Sequence, residues 1–250
     1  MRNLICGLVL VLASPVFAQT APVADRVAKQ NALFEEFYEN GLKNSPERAT
    51  AVGDYRYNSQ LGQYSLADIA RMHAEADDFL KRLKEIPTDG MGDKDLLSHQ
   101  LLQRQLERED IGYELKSFEM PINQQSGIHT SLADLPQAVP LDSVKHYEDY
   151  ISRLHQIPRA FDQVTDVLRA GMKDKLMPVR FLAEKIPGQC EGIIAADPFL
   201  QPTKKYPASI SEPDQNRLTQ AITDAVNTDV LPAYKKFAEF ARNEIGRAHV

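Results

Sequence analysis

The chain has 250 residues, of which 43% are hydrophobic, and its formal net charge at pH 7 is −6. This length can hold one large domain or two small ones, and this apolar fraction is enough to bury a core. The excess of acidic residues argues against nucleic acid as a partner, because phosphate binding relies on clustered lysines and arginines.

The first residues have the pattern of a secretory signal peptide. Arg2 precedes an apolar run over residues 4 to 12, and small residues stand at −3 and −1 of a cut after Ala18. The run is shorter than the roughly 20 residues of a membrane span. We therefore predict a signal peptide at residues 1 to 18, a periplasmic or secreted mature protein, and no membrane attachment after cleavage. Cys6 lies too near the start of the run for a lipid anchor.

Cleavage would change both the charge and the cysteine content. Without Arg2, one of 29 basic residues, the net charge becomes −7 instead of −6, and Cys190 remains as the only cysteine. No intramolecular disulfide is then possible, although the destination is oxidising. Cys190 lies on the apolar stripe of a predicted helix, which favours a buried structural thiol over a nucleophile.

Helical spacing recurs along the chain without sustained period-two alternation, which predicts an all-α fold. A first helix is predicted from Val23 to Leu42. Ser45 followed by Pro46 predicts the start of a short second helix that runs through Val52. An ordered loop is expected over residues 53 to 63.

Two amphipathic helices are expected next. Ser65 and Asp68 form a pattern like a capping box, and Pro87 closes the helix that they open. The second runs from about Asp93 to Lys116, and we predict that its leucines face inward: Leu96, Leu97, Leu101, Leu102 and Leu106.

Prolines divide the second half of the chain. Residues 117 to 140 are too interrupted for a helix and long for a structureless connection, and loops of this length are often functional. A helical hairpin is predicted next, with its second helix starting at Pro158. A segment kinked at Pro187 follows, and then a long last helix that contains Pro232.

Recognisable catalytic motifs are missing from the sequence. It contains no His-Glu-x-x-His and no Gly-x-Ser-x-Gly, and its histidines are scattered singly. His73 is in line with apolar positions, so a hydrogen-bonded core or boundary histidine is preferred to a ligand. No catalytic or metal-binding residue is therefore predicted in this chain.

Several short strings, taken in order, resemble the N-terminal half of the bacterial domain-of-unknown-function 885 family. Each string alone is weak, but their order and spacing are specific. They are Ser45 to Thr50, Gly53 to Tyr57, Met120 to Gln124 with Gly127, Tyr150 to Leu154, Gly171 with Pro178, Asp197 to Pro202, and Leu231 to Tyr234. The chain departs from the family pattern at residues 172 to 177, where a second glycine is usual.

The resemblance implies a large helical protein related in fold to zinc peptidases of the thimet oligopeptidase and carboxypeptidase Taq kind. In such proteins, helices wall a deep substrate channel. The resemblance places the zinc motif, His-Glu-x-x-His with a downstream glutamate, in the C-terminal half. The cofactor expectation is therefore zinc for that half and none for these residues.

The last six residues, 245 to 250, match what one reading frame of a common sequencing adapter would encode. We therefore expect a non-native tail there, with residues 19 to 244 as the N-terminal helical portion of a larger, truncated domain. A natural frayed terminus is the alternative.

The expected function is the scaffold and substrate-channel part of an exported zinc-dependent peptidase with a peptide substrate, and this chain alone should be inactive. The alternative is a non-enzymatic periplasmic helical binding module. The residues expected to shape the cleft or order its loops are Asp54, Arg56, Tyr57, Asn123 and Gln124. For Asp54 and Arg56, a loop-locking ion pair is favoured over substrate contact.

Overall fold

A computed structural model describes residues 21–123 and 125–245, and within these ranges the fold is all-α, as predicted, with no strand. The predicted signal peptide, Gln124 and tail residues 246 to 250 lie outside these ranges. The α-helices are α1 (Val23–Asn44), α2 (Pro46–Ala51), α3 (Leu66–Lys84), α4 (Asp93–Glu114), α5 (Ile128–Ala133), α6 (Leu135–Ala138), α7 (Val144–Asp174), α8 (Arg180–Ala183), α9 (Ile186–Ala196), α10 (Glu212–Ala225) and α11 (Leu231–Phe240). None of these is long and apolar enough to cross a membrane.

The predicted start signals of α2 and α3 are at the right residues. The hydroxyl of Ser65 accepts the backbone N–H of Asp68 at 3.1 Å and so caps α3. Helix α2 begins at Pro46, but the side chain of Ser45 makes no capping hydrogen bond. Here the fixed φ of proline in the first turn is sufficient to begin the helix.

Helices α1, α3 and α4 share a small apolar cluster. Its buried members are Leu33, Phe79, Leu80, Leu83, Ile86, Met91, Leu102 and Leu106. The prediction for α4 was wrong at Leu97 and Leu101, which are 56% and 60% exposed. The five leucines of this helix lie on two different faces, and only the face of Leu102 and Leu106 packs on α3.

The hairpin predicted around Pro158 is wrong, because α7 is a single helix of 31 residues with Pro158 inside it. Leu154, Ile157 and Phe161 are all buried, so the apolar face continues past the proline without a break. Burial of that face offsets the backbone hydrogen bond that Pro158 cannot donate.

Helix α7 is the centre of a large apolar cluster that also contains residues of α5, α6 and α8 to α11. Two buried tyrosines of α7 fix the 3-10 helix Pro198–Lys204. The hydroxyl of Tyr150 donates to the carbonyl of Phe199 at 2.9 Å, and that of Tyr147 donates to the carbonyl of Pro202 at 3.2 Å. Ile245, the first residue of the predicted tail, is also buried in this cluster.

Gly171 of α7 permits the closest backbone approach in this region. A Cβ atom at this position would lie 2.5 Å from the carbonyl oxygen of Glu119 and 2.7 Å from that of Leu176. Both atoms belong to the backbone, so they cannot move aside cheaply. The absence of a side chain therefore lets the segment around Glu119 pack directly on α7.

Other prolines act as start signals instead of kinks. Residues 117 to 140 contain the 3-10 helix Ser117–Glu119 and the short helices α5 and α6, so more of this stretch is helical than predicted. Pro187 lies in the first turn of α9. The helical segment is interrupted between α8 and α9, at residues 184 and 185, and not at the proline. The long last helix is confirmed: α10 and α11 are joined by the π-helical turn Val226–Val230, and Pro232 is the second residue of α11.

Candidate functional site

Asp54 and Arg56 form an ion pair on the loop that follows α2. The guanidinium Nε of Arg56 donates to the carboxylate of Asp54 at 3.0 and 2.9 Å, and the same carboxylate accepts the backbone N–H of Arg56 at 3.1 Å. A second guanidinium nitrogen bonds to Glu39 of α1 at 2.7 Å. The hydrogen bonds from Arg56 lower the pKa of Asp54 below its ordinary value. The loop is thus tied to itself and to α1.

Tyr57 follows directly and forms one wall of an open groove between α1 and α3. Its ring lies 5.5 Å from the guanidinium carbon of Arg56. The groove has a volume of about 650 Å³. Besides Tyr57, its lining consists of Glu36, Glu39, Asn40 and Lys43 from α1, and Arg71, Ala74, Glu75, Asp78 and Phe79 from α3. Four of these residues carry carboxylates, and each is paired with an arginine: Glu75 with Arg71, Glu39 with Arg56, and Glu36 and Asp78 with Arg82.

Glu75 is the most connected carboxylate of this groove. It accepts hydrogen bonds from Asn44 at 2.8 Å and Asn40 at 3.1 Å, and it pairs with Arg71 at 2.7 Å. Its partial burial acts to raise the pKa, but these hydrogen bonds outweigh it and the pKa of Glu75 is lowered. Glu75 is therefore an ionised anchor between α1 and α3, and has no features of a proton donor.

Beneath the groove, α7 holds the same loop through a buried arginine. Arg153 is fully buried, and its guanidinium donates to the carbonyl of Gln60 at 2.8 Å and to that of Pro46 at 3.1 Å. It also donates to the hydroxyl of Thr50 at 2.7 Å and contacts the carbonyl of Tyr57 at 3.4 Å. Burial lowers the pKa of Arg153. The backbone on both sides of Asp54 is thereby fixed to α7.

Further polar side chains of α7 extend this attachment. Ser152 donates to the carbonyl of Ser59 at 2.8 Å, Gln156 accepts the N–H of Leu61 at 3.1 Å, and Gln163 accepts the N–H of Tyr64 at 2.9 Å. The sequence analysis missed this role. The signal was present, because Ser152, Gln156, Arg159 and Gln163 are polar residues spaced by four, three and four along one helix face.

Asn123 orders a different loop. Its side-chain oxygen accepts the N–H groups of Gln125 and Ser126 at 2.8 and 2.9 Å, and its backbone N–H donates to the carbonyl of Ser126 at 2.8 Å. Gly127, with φ of 151°, follows this turn. In the described part of the chain, no contact joins Asn123 to Asp54, Arg56 or Tyr57. The structure thus brings together three of the five predicted site residues and leaves Asn123 apart.

Among the described residues, no histidine ring is hydrogen-bonded to a serine or cysteine side chain. Cys190 is buried, as predicted, and its burial raises the pKa of the thiol to about 12, with Glu191 adding to the effect. His129 and His99 are also buried and bond to glutamine side chains. A group that could hold a metal ion, His73, Asp77 and Asp110, lies on another face of α3, toward α4.

Comparison with known proteins identifies the sequence family and the fold. The family described as "Bacterial protein of unknown function (DUF885)" matches residues 46–249. No curated protein sequence matches the chain. A similar fold occurs in the crystal structure of "the putative lipoprotein from Colwellia psychrerythraea", at 16% identity and a TM-score of 0.75. The match covers 91% of this chain but 42% of that protein, so the chain spans less than half the length of this neighbour.

Proposed function

This chain belongs to the bacterial DUF885 family, and on that premise we propose that it supplies scaffold and substrate-channel wall to an exported zinc-dependent peptidase. The groove walled by Tyr57 is the observation that carries the proposal. Its acidic and amide groups, arranged along two helices, suit an extended peptide with basic side chains. The Asp54–Arg56 pair and Arg153 would keep this wall in place before the peptide binds.

Zinc chemistry is proposed for the C-terminal half that the family resemblance implies. There, a zinc ion would polarise the peptide carbonyl and activate water. This sequence contains no His-Glu-x-x-His, so its residues do not supply that ligand set. The role proposed for them is to bind and orient a peptide, and the chain alone should have no peptidase activity.

A non-enzymatic periplasmic binding module is the second candidate, and the outer face of α4 favours it. Leu97, Leu101, Ile111 and Leu115 are each more than half exposed along this helix and the residue after it. An exposed apolar face of this kind fits a protein or lipid partner. Recovery of the downstream reading frame separates the two candidates, because the absence of a zinc motif there would refute the peptidase proposal.

Peptide binding to the groove tests the proposal directly. Fluorescence anisotropy with a labelled unstructured peptide rich in lysine should show saturable binding, and a glutamate-rich peptide of equal length should bind far more weakly. Tyr57→Ala should weaken binding of the basic peptide about tenfold, since it removes an aromatic wall. Tyr55→Ala is the matched control, because Tyr55 belongs to the same turn but packs against His146.

Three results would contradict this assignment. Equal binding of both peptides would show that the groove does not select by charge, and an equal effect of both tyrosine variants would show that Tyr57 is not its wall. Peptide hydrolysis by this chain that a chelator blocks would overturn the prediction that it is inactive alone.

A further inference from the structure

We propose that His73, Asp77 and Asp110 form a site for a divalent transition-metal ion such as Zn²⁺ between α3 and α4. The imidazole Nε2 of His73 lies 3.5 Å from a carboxylate oxygen of Asp77 and 3.8 Å from one of Asp110. One ligand atom from each residue lies within 4.8 Å of the others. Metal–ligand bonds of about 2.0–2.2 Å at tetrahedral angles separate ligand atoms by roughly 3.3–3.6 Å. Small side-chain movements would therefore complete the site.

The spacing around His73 differs from that of the other histidine–aspartate pairs in the structure. His146 contacts Asp142 at 2.7 Å, and His155 contacts Asp229 at 2.6 Å, so both pairs bond directly. The two distances at His73 exceed hydrogen-bond length. Its nitrogen therefore faces two carboxylates at separations close to those between two ligands of one zinc ion.

The ring of His73 is already oriented. It stacks on Tyr113 of α4, with ring centroids 3.7 Å apart and planes 14° apart, and its side chain is 19% exposed. Tyr113 stacks in turn on Phe118 at 5.3 Å. Nε2 is the ring nitrogen that faces the two carboxylates. A ring held in this way loses little freedom when it binds a metal.

The two carboxylates also lack the usual partners of acidic residues on these helices. Asp78 pairs with Arg82 at 3.2 Å, and Glu107 pairs with Lys84 at 2.9 Å. Across residues 21–123 and 125–245, neither Asp77 nor Asp110 forms an ion pair with a lysine or arginine. Two uncompensated negative charges around one imidazole favour a divalent cation at this position.

Such an ion would link α3 to α4 and leave at least one coordination position for water. Imidazole with carboxylate oxygens is a ligand set that zinc accepts. The site is separate from the groove, because His73 and Asp77 face α4 whereas Arg71, Glu75 and Asp78 face α1. It therefore depends neither on the peptidase proposal nor on a zinc motif elsewhere.

Zinc titration of aspartate variants tests this site. The protein is treated with a chelator, freed of it, and titrated with ZnCl₂ by calorimetry, with the melting temperature measured in parallel. We expect a saturable site and a rise in melting temperature in the unsubstituted protein. Asp77→Asn and Asp110→Asn should each weaken zinc binding about tenfold or more. Both side chains are substantially exposed, so circular dichroism should show both variants folded.

Asp229→Asn is the matched control, because it makes the same change beside His155, which has one carboxylate partner. Zinc affinity should be unchanged in this control. The proposal is overturned if the unsubstituted protein does not bind zinc, if Asp77→Asn and Asp110→Asn bind it as tightly as the unsubstituted protein, or if Asp229→Asn weakens binding to the same extent.

Discussion

The region of α1, α3 and α4 and the region around α7 are built differently. Eight buried apolar residues hold the first region together. The cluster of the second region contains thirty buried apolar residues, eight of them from α7 itself. The first region should therefore open at a lower free energy than the second. Both the groove and the proposed metal site lie on the region with less buried surface, so a peptide or ion that binds there would stabilise that region against opening.

The attachment between these regions has a polar component that apolar packing does not replace. Arg153 and its neighbours on α7 bond to backbone groups of residues 46 to 64 in defined directions. Apolar contact alone would permit several positions of this loop on α7. Directional hydrogen bonds to main-chain atoms select one of them, which fixes the position of Tyr57 in the groove.

The largest expected effect on the free energy of unfolding is that of Arg153→Ala, which removes the main polar attachment between the two regions. The substitution removes the guanidinium that donates to the carbonyls of Gln60 and Pro46 and to the hydroxyl of Thr50, and it leaves a cavity in place of a fully buried side chain. We expect a loss of roughly 4–5 kcal/mol in the free energy of unfolding, since each buried unsatisfied group costs about 1–3 kcal/mol. Urea denaturation measures this loss. Arg180→Ala, at an exposed arginine that pairs with Glu184, should have little effect; equal losses in both variants would contradict this role.

Leu83→Ala should lower the free energy of unfolding by a smaller amount, about 3 kcal/mol. The loss should be confined to the region of α1, α3 and α4. Leu83 is fully buried in the small apolar cluster. Amide hydrogen exchange should become faster in α1, α3 and α4 and remain unchanged in α7. The control is Leu154→Ala, which removes an equally buried leucine of α7 and should speed exchange in both regions. Uniform acceleration by Leu83→Ala would show that the regions open as one unit.

The smallest expected effect concerns pH and compares His129 of the large region with His99 of the small one. Burial lowers the pKa of both imidazoles, and at His129 the hydrogen bond to Gln189 partly opposes this. As the pH falls, these two histidines take up a proton at a higher pH in the unfolded chain than in the folded protein. Their contribution is thus fully present above the ordinary histidine pKa of about 6.5 and is lost as pH falls below it.

Urea denaturation at pH 7.5 and 5.5 should accordingly show lower stability at the acidic value. The slope from one histidine is limited to about 1.4 kcal/mol per pH unit. His129→Gln should flatten the pH dependence of the large region, and His99→Gln that of the small region. An unchanged pH dependence in both variants would show that other groups cause it.

Local sequence signals predicted part of this fold and failed where burial decided the outcome. Ser65 and Asp68 marked the start of α3 because a capping bond involves neighbouring residues. Pro158 was misinterpreted because its neighbours on both sides are buried, which a sequence does not display. Leu97 and Leu101 share a helix face, but spacing alone does not tell which face is covered.

The same limit applies to the candidate sites. Asp54 and Arg56 are two residues apart, so their pairing was visible in the sequence, and their functional role stays a prediction. His73 and Asp110 are far apart along the chain and belong to different helices, so no local motif connects them. The bonds of Arg153 to main-chain carbonyls were equally hidden, because backbone acceptors have no sequence signature.

The π-helical turn Val226–Val230 has a consequence for how this protein tolerates changes in length. Such a turn accommodates one residue more than an α-helical turn, which rotates every later side chain by about 100°. Helix α10 packs on α7, whereas α11 also packs on α9 with Tyr234 and Phe237 buried. Deletion of Thr228, which is exposed in this turn, would turn both aromatic side chains away from the core without removing any member of the large cluster. The number of residues in this turn therefore determines which side chains of α11 face the core.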